Sequence, residues 1–347
     1  MAESVTIVGA GVAGLALAAE LVARGRGVRV LDRDGPPGPH ACSWWAGGML
    51  APHCERESAD EAVVRLGSDA ADWWQARAGG VERRGSLVVA PGRDRREVER
   101  FARRTAGFER LDGPGLAALE PDLDGRFDRA LYFPSEAHLA PRRALAGLLD
   151  RLADHGVTVE SAEAEPEALD GVVFDCRGLA ARAAHPDLRG VKGEMLVLAC
   201  PDLSLSRPVR LIHPRYPLYV VPRGEGVFML GATAIEAADR ARSTARSMLE
   251  LLSVAYALHP AFGEAEVVEI GVDARPAYPD NLPRLRRRGR VIHLNGLYRH
   301  GFLLAPALAR QAADWLDGGP TPELCDEDHP ERRAEGRDRA DALGGAL

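Results

Sequence analysis

Through the first half of the chain, short apolar runs alternate with longer stretches whose apolar residues recur at helical spacing. Residues 5–8 (VTIV) are apolar and β-branched, which predicts a buried strand. An alanine- and leucine-rich helix is expected over 12–23, and a second strand over 28–31. Further strands are expected at 84–90, 130–133, 156–160 and 171–175, and helices at 58–78, 93–106, 115–120 and 141–155. Pro141 suits the first turn of its helix. From Gly193 the pattern changes to closely spaced strands, 195–199, 209–212, 218–221 and 227–231, separated by Pro- and Gly-containing turns. That spacing predicts an antiparallel sheet. A helix over 240–258 follows, then a strand over 267–272 leading into an Ala274-Arg275-Pro276 turn, a strand over 291–294 and a helix over 302–316. After Gly318 the chain is polar, and a mobile tail is expected over 321–347.

The two patterns together predict an α/β protein. A Rossmann-like dinucleotide-binding domain takes residues 1–80, 135–192 and 285–320, and an inserted α+β domain with an antiparallel sheet takes 81–134 and 193–284. A chain of 347 residues can bury cores of that size.

Composition narrows the chemistry. A net charge of −7 argues against a broad nucleic-acid or anionic-membrane surface. Five scattered cysteines form no CxxC pair, so neither a disulfide framework nor a metal site is expected. Lys192 is the only lysine, so a lysine base has one candidate; its place before Gly193 predicts that it is exposed at a domain crossing. The first apolar run is broken by glycines and has no basic leader, which predicts a cytoplasmic protein. No HExxH, GxSxG or P-loop spacing occurs.

The densest signal is Gly9-x-Gly11-x-x-Gly14 between the first strand and the first helix, with Asp32 ending the second strand. Gly9 permits the tight turn, Gly11 lets a pyrophosphate approach the backbone beside Val12 and Ala13, and Gly14 lets helix pack on strand. The helix N-terminus supplies free N–H groups and a positive dipole end. An acid about 20 residues on can accept ribose hydroxyls, which favours FAD or NAD over a 2′-phosphorylated dinucleotide.

Five further segments occur in order: Trp45-Ala-Gly47-Gly48-Met49-Leu50, Tyr219-Val-Val-Pro222, Gly231-Ala-Thr233, Ala274-Arg275-Pro276, and Gly296-Leu-Tyr-Arg299-His300-Gly301-Phe302-Leu303-Leu-Ala-Pro306. With the glycine turn, residues 5 to 316 resemble the FAD-dependent D-amino-acid oxidase superfamily, most closely its glycine oxidase (ThiO) branch. The resemblance implies a glutathione-reductase type FAD domain, noncovalent FAD, and oxidation of glycine or another small amino acid to its imine, with oxygen reduced to hydrogen peroxide. It implies a place in thiamine thiazole synthesis, with handover to thiazole synthase and a homo-oligomer as further expectations. It also implies that Arg275 and Tyr219 hold the substrate carboxylate and that Arg299 stands near the flavin as a second cation. Gly296, His300, Gly301, Phe302 and Leu303 would lie beside the isoalloxazine, with Arg33, Ser43, Gly47, Gly48, Met49 and Gly178 completing the FAD contacts.

The residues read alone leave alternatives open. The Arg275 guanidinium is a planar fork matched to a carboxylate, or a cap on the sheet. Tyr219 is a neutral donor, or a core tyrosine. Arg299 is a free cation, or the partner of an acid of the lower loop. Direct transfer from a neutral bound amine needs no side-chain base, so His53, His213, His293 and His300 read as structural, with His300 beside Arg299 as the one catalytic candidate. Three rival functions remain: a D-amino-acid dehydrogenase passing electrons to quinone, a flavin-bound maturation or scaffold protein, and, less well matched to the Trp45–Leu50 segment, an NAD-binding dehydrogenase.

Overall fold

The computed structural model describes residues 4–213 and 217–326. Strand Val5–Val8 is buried on both faces because it lies in the middle of a seven-stranded sheet. It pairs in parallel with Val28–Asp32 on one side and with Val172–Asp175 on the other. Val159–Ser161 and Val291–Asn295 extend this parallel core outward. Strand order therefore reverses beside Val5–Val8, and crevices at such switch points, outside the carboxyl ends of the strands, are where α/β sheets bind ligands. Helix Val12–Ala23 has no polar face because helices Gly301–Leu316 and Pro141–Ala153 cover what the sheet does not. Ala305, Ala309, Ala312 and Ala313 keep that packing close.

The second sheet has nine strands. Its centre, Arg189–Ala199, Val227–Gly231, Leu218–Gly224 and Val209–Leu211, runs antiparallel. Val209–Leu211 then joins Ser86–Val89 in parallel, so residues from either side of the nucleotide sheet's third helix share one sheet. Helix Ala245–Leu258 covers one face through Leu251, Val254, Ala255 and Leu258. The parallel sheet, the antiparallel sheet and the switch of pattern near Gly193 agree with the expectation from the sequence.

Several details differ. The helix expected over 58–78 is two, Glu61–Gly67 and Ala70–Arg77, and at the break Gly67 packs so closely that a Cβ there would lie 2.7 Å from Leu303. The expected turn at 274–276 is absent: Glu266–Ala277 is one strand, paired along its length with Arg189–Ala199. Pro276 is tolerated because this is an edge strand. The helix expected from 240 starts at Ala245, where Thr244 caps it by accepting the Ser247 N–H at 3.2 Å. Charged strands Glu109–Asp112 and Arg284–Arg288 have little apolar alternation and were not expected. Cys325–Asp326 pairs with Leu285–Arg286, so the start of the expected tail is tied to the sheet edge; residues 327–347 lie outside the described residues. Lys192 is not exposed: it is buried, with Nζ 3.1 Å from Asp239.

Candidate active site

The nucleotide end is built from backbone. Gly9 has φ +107, and a Cβ there would strike the Cys176 carbonyl at 2.6 Å. One on Gly14 would lie 1.9 Å from the Gly9 carbonyl oxygen, so helix and turn pass as closely as two main chains can. At Gly11 the nearest atom to such a Cβ is Ser43 Oγ at 3.3 Å, and both residues line the cavity above the turn. Ser43 Oγ accepts the Val12 N–H at 2.9 Å, which ties the 42–45 turn to the helix N-terminus. Asp32 accepts the Ala10 N–H at 2.8 Å and the Asp34 N–H at 3.0 Å, and its carboxylate also faces the cavity.

That cavity has a volume of about 870 Å³ and runs from Asp32 across both helix N-termini to the antiparallel sheet. Of the residues expected at the cofactor, Val12, Ala13, Arg33, Ser43, Gly47, Gly48, Met49 and Gly178 line it, as do His300, Gly301, Phe302 and Leu303. Gly14 and Gly296 do not: Gly14 lies beneath Gly9, and Gly296 lies over the Tyr278 ring.

The middle section is held by arginines that the sequence did not single out. Arg142 lies over the rings of Trp44 and Trp45, 4.6 and 5.3 Å from their centroids, and bonds Glu269 at 2.7 Å. Arg223 donates to the carbonyls of Gly47 at 2.8 Å and Leu139 at 3.1 Å, which fixes the Gly47–Gly48 backbone. Its burial pushes its pKa down to about 10.

The far end is built from side chains. Tyr219 lies against Gly47 and Gly231, each close enough that a Cβ would come within 2.9 Å of the ring or its hydroxyl. Arg275 crosses Gly193 in the same manner and donates to the Thr233 carbonyl at 3.1 Å. Burial pushes the Tyr219 phenol up, so it stays a neutral donor. Directly across the strand pair from Tyr219 is Arg210.

Arg299 is the partner of an acid. Glu55, at the end of the one-turn helix Pro52–Glu55, meets Arg299 Nε at 2.9 Å, Arg210 at 2.6 Å and His300 Nε2 at 2.9 Å. Burial opposes its ionisation, yet Arg299 and Arg210 outweigh that and hold the carboxyl well below its usual range. A carboxylate there requires the proton on His300 Nε2, so Nδ1 is an acceptor; burial pushes the His300 pKa down. Glu136 anchors this corner by accepting the Cys54 N–H at 2.7 Å. Glu55 and Arg210 carried no sequence signal, because their partners lie 155 to 245 residues away.

Seven arginines line the cavity, and six are ion-paired: Arg33 with Asp34, Arg100 with Glu97, Arg177 with Asp175, Arg210 and Arg299 with Glu55, and Arg240 with Asp273. Of these seven, Arg275 alone has no acid within 4.0 Å among the described residues. The cavity thus joins an unpaired guanidinium and a neutral hydroxyl to a dinucleotide cradle. A glycine turn with Asp32 at one end and room for flat rings beside Gly47 and Gly48 fit FAD, whose anionic pyrophosphate suits the helix N-terminus.

Comparison with known proteins agrees. Residues 4–315 match the profile of the DAO family, described as FAD dependent oxidoreductase. The chain is 55% identical over 328 residues to a Rhizobium etli protein that carries the name thiamine biosynthesis oxidoreductase ThiO, covering 94% of this chain and 98% of that one. It is 30% identical to a glycine oxidase of Pseudomonas aeruginosa, over 92% of this chain and 96% of the relative. The fold matches the crystal structure of glycine oxidase from Geobacillus kaustophilus with a TM-score of 0.77 at 23% identity, covering 92% and 95% of the two chains.

Proposed function

The chain belongs to the DAO family of FAD-dependent oxidoreductases, and from that premise we propose that it oxidises glycine, or a comparably small amino acid, to the imine. Two electrons leave the Cα–N unit and reach oxygen, giving hydrogen peroxide. The observation that carries this reading is the unpaired Arg275 guanidinium beside the Tyr219 hydroxyl on the cavity wall. Arg275 binds the substrate carboxylate and Tyr219 adds one neutral donor, so the α-carbon is held by its acid end.

Gly9, Gly11, Val12, Ala13 and Ser43 would hold the pyrophosphate of FAD, Asp32 its ribose, and Gly47 to Met49 with His300 to Leu303 its ring system. When bound, FAD supplies the two-electron acceptor that no side chain can provide. On this reading the bound amine is neutral: Arg210, Arg275 and Arg299 line the substrate half of the cavity, and the positive charge that Glu55 leaves uncompensated there disfavours an ammonium. The chain then needs no general base. The 55% identity supports a place in thiamine biosynthesis, with the imine delivered to thiazole synthase.

A visible spectrum followed by a peroxide assay with glycine, sarcosine and D-alanine tests the proposal. A yellow protein that releases peroxide with glycine is the expected result. Dye reduction without oxygen consumption would instead identify a dehydrogenase, and bound FAD without turnover of any free amino acid would identify a partner-directed flavoprotein.

A further inference from the structure

The acidic groups on the substrate half of the cavity wall are each already engaged. Asp273 is taken by Arg240 at 2.9 Å, Glu57 by Arg104 at 3.0 Å, and Glu97 by Arg100 at 3.6 Å. Glu55 differs from these in holding two guanidiniums and an imidazole with one carboxylate. It is 8% exposed and sits on a single helical turn, pinned by Glu136 through the Cys54 N–H. A buried carboxylate costs free energy that only several donors offset. Arg210 and Arg299, both on the cavity wall, are turned toward it. Arg210 is also the cross-strand neighbour of Tyr219, so a second cation stands on the other side of Tyr219 from Arg275.

We propose that Glu55 is the specificity-determining residue of this site: by ion-pairing with both Arg210 and Arg299 it leaves Arg275 as the one cavity guanidinium with no acid partner, and so favours monocarboxylate amino acids. The inference rests on the reading of Arg275 as the carboxylate anchor. Without Glu55 the wall would offer two anion sites flanking Tyr219, and a ligand with a second carboxylate would gain a partner. With Glu55 present, that second carboxylate meets guanidiniums whose summed charge is halved and a carboxylate that repels it. The gain from discrimination is a difference between two affinities, created here by a repulsive element.

Glycolate and malonate, a monocarboxylate and a dicarboxylate of similar size, separate the two readings when titrated into the FAD-loaded enzyme and followed by the flavin spectrum and by calorimetry. Wild type should bind malonate at least about tenfold more weakly than glycolate, and Glu55→Gln should shift that ratio by about tenfold or more in favour of malonate. The near-isosteric amide keeps the shape and one acceptor oxygen while removing the charge, and a merely structural role would weaken both ligands alike. Arg210→Gln gives the opposite arm: it frees one Glu55 oxygen and should weaken malonate further while leaving glycolate nearly unchanged. If Glu55→Gln does not load FAD, the Arg210→Gln arm decides. A ratio unchanged in the folded, flavin-loaded variant overturns the proposal. Failure of wild type to bind glycolate at all would instead remove the carboxylate-anchor reading on which it rests.

Discussion

The two ends of the cavity are built on different principles. The nucleotide end is mostly main chain: Gly9, Gly11, Gly14 and Asp32 fall within one strand–helix–strand unit, Gly9, Gly14 and Asp32 meet backbone atoms of the turn and of the adjoining Cys176 segment, and the Ser43 hydroxyl lies beside Gly11. The substrate end is side chain: Glu55, Arg210, Tyr219, Arg275, Arg299 and His300 come from five separate stretches of sequence. Backbone can cradle a ligand shared by many proteins, because its shape does not depend on side-chain identity. Charged side chains can discriminate, because exchanging one changes which anion is stabilised. The difference predicts that damage at the two ends separates cleanly into loss of cofactor and loss of substrate.

The largest expected effect is at the substrate end. If Arg275 anchors the substrate carboxylate as proposed, Arg275→Ala removes one partner of that ion pair, which costs about 2–5 kcal/mol. That corresponds to about 30- to several-thousand-fold in kcat/KM for glycine, measured by peroxide release, with the flavin spectrum unchanged. Arg275→Lys should recover only part, since an ammonium cannot reproduce the fork. Equal glycolate affinity in Arg275→Ala and wild type would place the anchor elsewhere, and Arg299, released from Glu55, would be the first candidate.

At the nucleotide end, Gly14→Ala puts a Cβ 1.9 Å from a backbone oxygen that no rotamer can move. Helix and turn must separate, at a cost on the order of 3 kcal/mol in urea unfolding. Gly11→Val is the contrasting change: its Cβ meets only Ser43 Oγ, so the fold should survive while acid-released FAD disappears. A Gly11→Val protein that stays yellow breaks the assigned geometry.

These same contrasts explain what could be read in advance. The glycine turn and Asp32 were legible because a sharp turn constrains residue type locally, and the parallel sheet followed from it. Arg275 and Tyr219 entered only through family resemblance; physics alone left each open between site and scaffold. Glu55 had no signal, since a one-turn helix shows no periodicity and its ion pairs span 155 to 244 residues. Arg284–Arg288 was missed for a related reason: Arg286 is buried against Tyr278 and Asp187, so a charged run hides an inward-facing strand position.

Acid separates the ends again. Burial lowers His185 to about 4, with His293 and Arg286 adding to it, and burial with Arg223 and Arg84 lowers His138 to about 4. The folded state therefore favours the neutral imidazoles. Their stabilisation is complete above about pH 6.5, the unfolded value, and is lost as pH falls toward 4. Each should cost about 2 kcal/mol by pH 5. His185 packs on His293, which bonds Asp175 below the Cys176–Gly178 loop, whereas Glu55 is held well below its usual range and keeps its ion pairs. Urea midpoints at pH 7.5 and 5.0 should fall less in His185→Met than in wild type, and flavin release should accompany the loss. An identical fall in both proteins would show that His185 does not carry the effect.

The smallest effect is expected at Lys192, which belongs to neither end. As the only lysine, it is the one candidate for a lysine ammonium that hastens the reaction of reduced flavin with oxygen. Its Nζ instead bonds Asp239, and Lys192 does not itself line the cavity, although its strand partner Ala274 and its neighbour Gly193 do. Asp239 is 55% exposed and rehydrates when the ammonium is removed, while methionine fills the same slot with an apolar chain. Lys192→Met should therefore change stability by about 1 kcal/mol or less, of either sign. Stopped-flow reoxidation should stay within about threefold of wild type, a difference of about 0.6 kcal/mol in barrier height. A drop of about a hundredfold, near 2.7 kcal/mol, would mean that the ammonium reaches the flavin in the working enzyme, and that the Lys192–Asp239 pair opens to let it.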